Sequence, residues 1–246
     1  MIPVLVTGGK GMLGSALADA GAILPSLTIH APGRDTLDVR DADAVMAWKD
    51  RVAGGWIIHC AATVDVEGCA RDPESARATI VDGTSNVLML AKAAGARLIY
   101  PQSFLVYDGA TVPIAEAETP RPLSLYGTLK YEAERLVLDA IADPLIIRMA
   151  GFFGGEAADK NFVGRIIPAM RGAIDRRESR FSVGTRRWQP TFTEDLALNC
   201  LLLMARGARG SYQMACHGDA SFAEVAEVIV SVLGWQGVLE IGRAHV

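Results

Sequence analysis

The sequence predicts an α/β protein with a doubly wound parallel sheet. Short apolar runs alternate with helical patterns through the first half of the chain, and a glycine-rich stretch follows the first run. Strands that alternate with helices pair in parallel through right-handed crossovers. With 246 residues, half of them hydrophobic, the chain can bury the core of one such domain and a small additional lobe.

The individual elements follow from the periodicity of the apolar residues. The predicted strands of the first half are residues 2–6, 27–30, 56–62, 98–100 and 145–148. The predicted helices of the first half are residues 12–22, 42–51 (with Asp41 as N-cap), 73–91 and 125–141. Beyond residue 150 the alternation loosens, and we predict helices at 161–171, 193–205 and 221–233 with short strands at 181–183 and 211–214.

The first apolar run ends in glycines directly before a helical pattern. In a phosphate-binding loop, one glycine permits the tight turn, a second lets a pyrophosphate approach the backbone, and a third packs the helix on its strand. The spacing fits both Gly9-x-Gly11-x-x-Gly14 and Gly8-x-x-Gly11-x-x-Gly14. An ordinary glycine turn is the alternative, but the strand before and the helix after favour a Rossmann-type dinucleotide site.

Residues that follow the next strands are candidates for further cofactor contacts. Arg34 would pair with a 2′-phosphate and favour NADP(H), whereas Asp35 would accept from a free 2′-hydroxyl and favour NAD(H). The alternative is that Arg34 and Asp35 are solvent-exposed loop residues without a role in cofactor binding. Asp38 would accept from the adenine amino group, and the small residues Ala61 and Ala62 leave space for a ligand at a strand end.

Tyr126 and Lys130 lie four residues apart on one face of a predicted helix. A tyrosine titrates at about 10, and a neighbouring ammonium would lower its pKa so that it exchanges a proton with a carbonyl or alcohol oxygen. Ser103, at a predicted strand end, would donate a hydrogen bond to the same oxygen. A surface helix pair is the alternative. Together with the glycine loop, these residues favour an oxidoreductase in which hydride moves from a nicotinamide.

Composition argues against other classes of function. The net charge of −4 gives no electrostatic basis for binding nucleic acid or an anionic membrane. The four cysteines include no Cys-x-x-Cys pair and the four histidines no ligand cluster, so we expect no metal site. Scattered cysteines, no signal peptide and no apolar run of about 20 residues indicate a cytoplasmic protein.

The motifs resemble those of a known superfamily over nearly the whole chain. Thr7-Gly8-x-x-Gly11-x-x-Gly14, Ser103 and Tyr126-x-x-x-Lys130 resemble the extended short-chain dehydrogenase/reductase pattern. Further stretches resemble its dTDP-4-dehydrorhamnose reductase branch and favour the Gly8 register. They are residues 37–39, 60–65, 102–107, 123–127, 148–154, 161–162 and 189–191.

The residues and the resemblance together imply a set of roles. Ser103, Tyr126 and Lys130 match the catalytic residues of the family. The predicted cofactor-binding residues are Thr7, Gly8, Gly11, Met12, Leu13, Gly14, Arg34, Asp38, Val39, Ala61, Ala62, Tyr126 and Lys130. The predicted substrate-binding residues are Val106, Tyr107, Asn161, Pro190 and Thr191.

The chain departs from the family pattern in two places. Ile80 stands where the family often has an asparagine, whose loss could slow a proton relay. Gln102-Ser103-Phe104-Leu105 replaces the start of the family's Ser-Thr-Asp-Tyr-Val-Phe stretch, so that Phe104 and Leu105 remove two polar groups.

We therefore expect an NAD(P)H-dependent reductase of a keto-sugar nucleotide, with NADP(H) preferred, NAD(H) as the second cofactor and Tyr126 as proton donor. A sugar-nucleotide epimerase or dehydratase is the alternative among enzymes, although a dehydratase usually needs an acidic residue beside Ser103. A non-catalytic, dinucleotide-binding regulatory protein is the third interpretation. The expected partner is a small-molecule, nucleotide-sugar-like substrate, and a homodimer stays open.

The predicted domain organisation has three parts. Residues 1–150 form the NAD(P)-binding Rossmann domain, and residues 151–240 form a substrate-binding lobe that is interleaved with it and truncated. Residues 241–246 match the translation of a common sequencing-adapter string, so we expect them to be a non-native tail.

Overall fold

The computed structural model describes residues 1–155 and 159–244, which form two compact units. The first unit comprises Met1–Met149 and Glu194–Met214. The second comprises the described residues of Ala150–Thr193 and Ala215–Val246. The chain thus leaves the first unit after Met149, returns to it at Glu194 and leaves it again after Met214, so both units are discontinuous in sequence.

Six strands in the described part of the first unit form one parallel sheet. They are β1 (Ile2–Thr7), β2 (Leu27–His30), β3 (Trp56–His59), β4 (Arg97–Ser103), β5 (Leu145–Met149) and β10 (Gly210–Met214). Their spatial order is β2-β1-β3-β4-β5-β10, and every neighbouring pair is parallel. The order reverses between β1 and β3, and ligands of such sheets bind beyond the carboxyl ends of the strands at that point. The predicted α/β class is confirmed.

Burial on both faces of the sheet explains why it is doubly wound. Leu5, Ile57 and Tyr100 belong to one buried cluster, and the intervening residues Val6 and Ile58 are equally inaccessible. Because successive side chains of a strand point to opposite faces, helices must cover both sides. The α-helices in the described part of the first unit are α1 (Met12–Ala22), α2 (Ala42–Met46), α3 (Val66–Arg71), α4 (Pro73–Arg77), α5 (Gly83–Ala94), α6 (Leu125–Ala140) and α8 (Thr193–Ala205).

The helix predicted to run on from residue 73 is interrupted. A π-helical turn at Ala78–Asp82 separates α4 from α5, and buried Ile80 lies within it. The Thr84 hydroxyl donates to the Ile80 carbonyl at 2.5 Å. Apolar periodicity over the whole stretch does not reveal this turn, because a π-helical turn occurs mostly as a single turn within an α-helix and has no side-chain pattern of its own. The six-residue α3 was not predicted either, since a single buried side chain, Cys69, gives no periodic pattern. By contrast, Asp41 caps α2 as predicted.

The second unit has short strands and two helices among its described residues. They are β6 (Phe152–Phe153), α7 (Phe162–Asp175), β7 (Arg180–Gly184), β8 (Arg187–Trp188), β9 (Thr191–Phe192), β11 (Ala220–Ser221), α9 (Phe222–Val232) and β12 (Glu240–Ala244). Met170, Ala226 and Leu239 lie in its apolar core.

The suspected tail contributes to this second unit. Residues 241–244 belong to β12, which pairs in parallel with β7, and Ile241 packs against the apolar core. His245 and Val246 lie outside the described residues. The non-native origin of residues 241–246 stays a prediction. No helix among the described residues is long and apolar enough to cross a lipid bilayer.

Two helical glycines should respond oppositely to alanine. A Cβ at Gly14 would lie 2.3 Å from the Gly8 carbonyl oxygen, so we expect Gly14→Ala to lower the free energy of unfolding by about 1–3 kcal/mol. The matched control is Gly172→Ala in α7, where the nearest atom is the flexible end of Arg176 at 3.3 Å. That variant should be about 0.5–1 kcal/mol more stable than the wild type. Urea unfolding measures both, and a neutral Gly14→Ala would contradict the close contact.

Candidate active site

The glycine-rich stretch forms the turn between β1 and α1. Gly8 adopts a φ of 66°, which disfavours side chains, and a Cβ added there would lie 2.9 Å from the backbone of Ala61. Gly11 enters α1 in an extended conformation, and no described side chain caps that helix. The N-terminus of α1 thus begins at the carboxyl end of β1, where it would stabilise an anion.

The fit to a dinucleotide rests on this cradle. Gly8, rather than Gly9, carries the positive φ, which favours the Gly8 register. Leu13 is buried in the core, so only its backbone faces the turn, whereas Met12 is partly buried. Thr7 is fully buried, and its hydroxyl oxygen accepts the N–H of Ala61 at 3.2 Å. A helix N-terminus preceded by a glycine turn without side chains suits a pyrophosphate.

Paired charges follow β2, at the predicted adenosine end of the site. Arg40 donates to the Asp38 carboxylate from Nη2 at 2.6 Å, and Arg34 donates to it from Nε at 3.3 Å. The hydrogen bond from Arg40 is the main reason why the pKa of Asp38 lies well below its usual value. Asp38 therefore stays ionised between two guanidinium groups. Arg34 remains largely exposed, so it can also meet a phosphate. Sequence reasoning missed Arg40, whose only signal is its position two residues after Asp38.

A second exposed pair lies between the glycine loop and this segment. Lys10 Nζ approaches the Asp35 carboxylate at 3.0 Å, and this hydrogen bond lowers the pKa of Asp35. Asp35, which would favour NAD(H), is thus already paired with the Lys10 ammonium. Val39 is buried, with its carbonyl bound by Asn86 Nδ2 at 2.8 Å, and Ala62 is partly buried beyond the end of β3.

Ser103, Tyr126 and Lys130 are brought together at the carboxyl end of β4. Ser103 is the last residue of β4, and α6 carries the other two, both nearly inaccessible. The Ser103 hydroxyl oxygen accepts the N–H of Leu105 at 3.2 Å, and the Ser103 side chain lies near enough to the Tyr126 phenol to lower its pKa. Because the serine oxygen already accepts, its proton is available to a phenol or a substrate oxygen.

The electrostatics of this group differ from the predicted pattern. Burial raises the pKa of Tyr126 to about 12, although the nearby Ser103 side chain works against this rise. The predicted lowering of the Tyr126 pKa is therefore wrong, because burial outweighs the effect of Ser103. Lys130 Nζ instead donates to the Pro101 carbonyl at 2.8 Å and stands 4.0 Å from the Tyr100 ring centre. Burial lowers the pKa of Lys130 to about 7.

A buried hydrogen-bonded chain, which sequence reasoning missed, joins the glycine loop to α5. His59 Nδ1 lies 2.7 Å from the Thr7 hydroxyl, and His59 Nε2 lies 3.1 Å from the Thr84 hydroxyl. Thr84 donates its own proton to Ile80, so His59 must donate from Nε2 and accept at Nδ1. Burial, reinforced by the charge of Lys130, lowers the pKa of His59 to about 3.

The predicted substrate residues divide between the two units. In the first, Val106 is fully buried, and the Tyr107 hydroxyl is bound by Arg148 Nη1 and by Gln213 Nε2, each at 2.7 Å. In the second, Asn161 Nδ2 donates to the Phe152 carbonyl at 2.7 Å. The hydroxyl of buried Thr191 donates to Gln189, whereas Pro190 is partly buried. Their substrate contacts stay predictions.

Comparison with known proteins places this site in context. The family model described as RmlD substrate binding domain matches residues 2–242. The dTDP-4-keto-6-deoxy-D-glucose reductase of Streptomyces niveus is 31% identical over 94% of this chain and 78% of its own length. The crystal structure of dTDP-4-dehydrorhamnose reductase from Bacillus anthracis, in complex with NADP, is 25% identical and superimposes with a TM-score of 0.87 over 100% of this chain and 85% of that one.

A relative with a different name is equally similar in sequence. The methionine adenosyltransferase 2 subunit beta of Xenopus tropicalis is 32% identical over 82% of this chain. The match covers 62% of that protein's length.

The parallel sheet, the glycine turn after β1 and the group of Ser103, Tyr126 and Lys130 are typical of a protein of the extended short-chain dehydrogenase/reductase type. Within that type, the chain belongs to the RmlD substrate-binding domain family, whose model spans nearly all of it.

Because the folded protein keeps His59 unprotonated, the free energy of unfolding should depend on pH. Below about 6.5 the unfolded chain protonates this histidine, whereas the folded chain does not until pH falls to about 3. The contribution of His59 to stability is therefore complete above pH 6.5 and is lost at up to about 1.4 kcal/mol per pH unit below it. Urea unfolding of the wild type and of His59→Gln between pH 7 and 5 measures this, and the variant should show the shallower decline. Parallel curves would contradict the assignment.

Proposed function

We propose that this protein is an NAD(P)H-dependent reductase of a keto-sugar nucleotide, with NADP(H) as the preferred cofactor. The observation that carries the proposal is the burial of Tyr126 and Lys130 beside Ser103, at the same edge of the sheet as the glycine loop. The names of the Streptomyces niveus and Bacillus anthracis relatives support the substrate class.

The residues act on the two halves of a carbonyl reduction. When bound, NADPH supplies the hydride to the carbonyl carbon. Tyr126 is a neutral phenol at neutral pH, since its pKa is about 12, and it donates its proton to the carbonyl oxygen as negative charge develops there. Ser103 donates a hydrogen bond to the same oxygen. Lys130 stabilises the phenolate that remains, which then regains a proton from solvent, and its free N–H groups would hold the nicotinamide ribose.

The preference for NADP(H) rests on the charges that follow β2. Arg34 keeps an exposed guanidinium for a 2′-phosphate, whereas Asp35 is paired with Lys10. The Bacillus anthracis structure contains NADP. A cytoplasmic location is supported by the free thiols of all four cysteines, since disulfides are rare in that compartment. A homodimer stays part of the proposal.

A regulatory, non-catalytic protein is the second candidate. The specific observation in its favour is the similarity to methionine adenosyltransferase 2 subunit beta. The departures at Ile80, Phe104 and Leu105 point the same way. A dehydratase is disfavoured because Gln102 and Phe104, the neighbours of Ser103, are not acidic.

Replacing the proposed proton donor tests the mechanism. Tyr126→Phe should lower kcat by about 10²–10⁴-fold while leaving NADPH affinity within about threefold, because only proton transfer is lost. The matched control is Tyr131→Phe on the same helix, which should keep wild-type turnover. NADPH oxidation is measured with a panel of 4-keto nucleotide sugars. Unchanged turnover in Tyr126→Phe would remove the mechanism, and NADPH binding without any turnover in the wild type would favour the regulatory candidate.

Removing Arg34 tests the cofactor preference. Arg34→Ala should weaken NADPH binding by about 10-fold or more and leave NADH binding nearly unchanged, because a charge-assisted hydrogen bond to phosphate contributes about 1.5–3 kcal/mol. Calorimetric titration of both nucleotides measures this, with NADH as the internal control. Equal weakening of both would show that Arg34 does not contact the 2′-phosphate.

A further inference from the structure

We propose that Gln102 is a positioning residue whose carboxamide fixes Ser103, at the end of β4, to the helix that carries Tyr126 and Lys130. The inference rests on the proposed reductase function. Gln102 is 1% exposed and its side chain is hydrogen-bonded to Ser103, Lys130 and Glu134, so it acts through these neighbours.

The carboxamide of Gln102 uses both of its chemical ends. Its Oε1 accepts the N–H of Ser103 at 2.8 Å. Its Nε2 donates to the Lys130 carbonyl at 2.9 Å and to the Glu134 carboxylate at 2.8 Å. One side chain therefore joins the strand end with Ser103 to the α6 backbone at Lys130, which lies one turn after Tyr126.

The helix side of this joint is itself anchored. Glu134 is fully buried, and Arg148 Nη2 donates to its carboxylate at 2.5 Å. Arg148 also donates to the Tyr107 hydroxyl and to the Glu116 carbonyl. A buried ion pair with its remaining donors satisfied has one well-defined geometry, so Glu134 gives Gln102 a fixed partner.

Only an amide meets all of these demands. A carboxylate at residue 102 would face that of Glu134, and an apolar side chain would leave the Ser103 N–H and the Lys130 carbonyl without this partner. The resembling family has serine at this position, which is too short to supply all three bonds. The joint therefore holds the backbone of Ser103, whose hydroxyl accepts from Leu105 and lies near the Tyr126 phenol.

A double-mutant cycle tests whether Gln102 acts through Ser103. Gln102→Met, which keeps the volume but removes all three hydrogen bonds, should lower kcat about 10-fold or more, with KM and NADPH affinity within about twofold. In a Ser103→Ala background the same change should lower kcat less than about twofold, because the group that it positions is gone. Equal losses in both backgrounds, or no loss in the first, would overturn the proposal. Should Gln102→Met not fold, Gln102→Asn repeats the cycle with an amide too short to span both elements.

The matched control is Gln236→Met, which removes a glutamine that hydrogen-bonds to Ser231 in the second unit. It should keep kcat within about twofold, and a loss equal to that of Gln102→Met would mean that the effect is not specific to residue 102.

A readout without turnover separates this inference from the proposed function. If the wild type oxidises no NADPH, the reductase proposal fails, and the joint is tested by NMR titration of the Lys130 side chain, assigned with Lys130→Met. Loosening α6 from β4 in Gln102→Met should admit water and raise the Lys130 titration midpoint from about 7 by about half a pH unit or more. An unchanged midpoint would overturn the inference.

Discussion

One buried amine, that of Lys130, interacts with several groups of the candidate site. Lys130 is 4% exposed, and its charge is stabilised by the Pro101 carbonyl and the face of the Tyr100 ring. Its charge adds to burial in keeping His59 neutral, and burial also raises the pKa of the Cys60 thiol. Among the described residues, Lys130, Glu134 and Arg148 are the buried groups near Ser103 that can carry a charge, whereas His59 stays neutral.

The sequence predicts the fold and the residues that form the candidate site, but it does not predict the environment of those residues. Alternating strand and helix patterns suffice for a parallel sheet, and a four-residue spacing suffices to place Tyr126 and Lys130 on one helical face. Spacing says nothing about solvent access, and burial reverses the expected shift of the Tyr126 pKa. The joint between Gln102 and Glu134 spans 32 residues of sequence, so no local pattern reveals it. The same holds for the bond between His59 and Thr84.

The departures from the family pattern have unequal weight in the structure. Ile80 is buried in the π-helical turn, and its carbonyl is engaged by Thr84, so the backbone there is ordered without the asparagine side chain. Phe104 and Leu105 change the side chains after β4, yet the bond from the Leu105 N–H to Ser103 is kept. The arrangement of Ser103, Tyr126 and Lys130 is therefore kept despite substitutions that alter its surroundings. For this reason, a measurement of turnover distinguishes the reductase candidate from the regulatory candidate better than the fold does.

The interrupted path of the chain has a consequence for folding during synthesis. Strand β10 pairs with β5 only after the whole intervening segment has been made, and closing so long a loop is slow. Gln213 on β10 binds the Tyr107 hydroxyl, which in turn contacts Arg148. Until residues 210–214 have been synthesised, the edge of β5 is exposed in the nascent sheet, and the Tyr107 hydroxyl lacks its hydrogen bond from Gln213. Completion of the site is coupled to completion of the sheet.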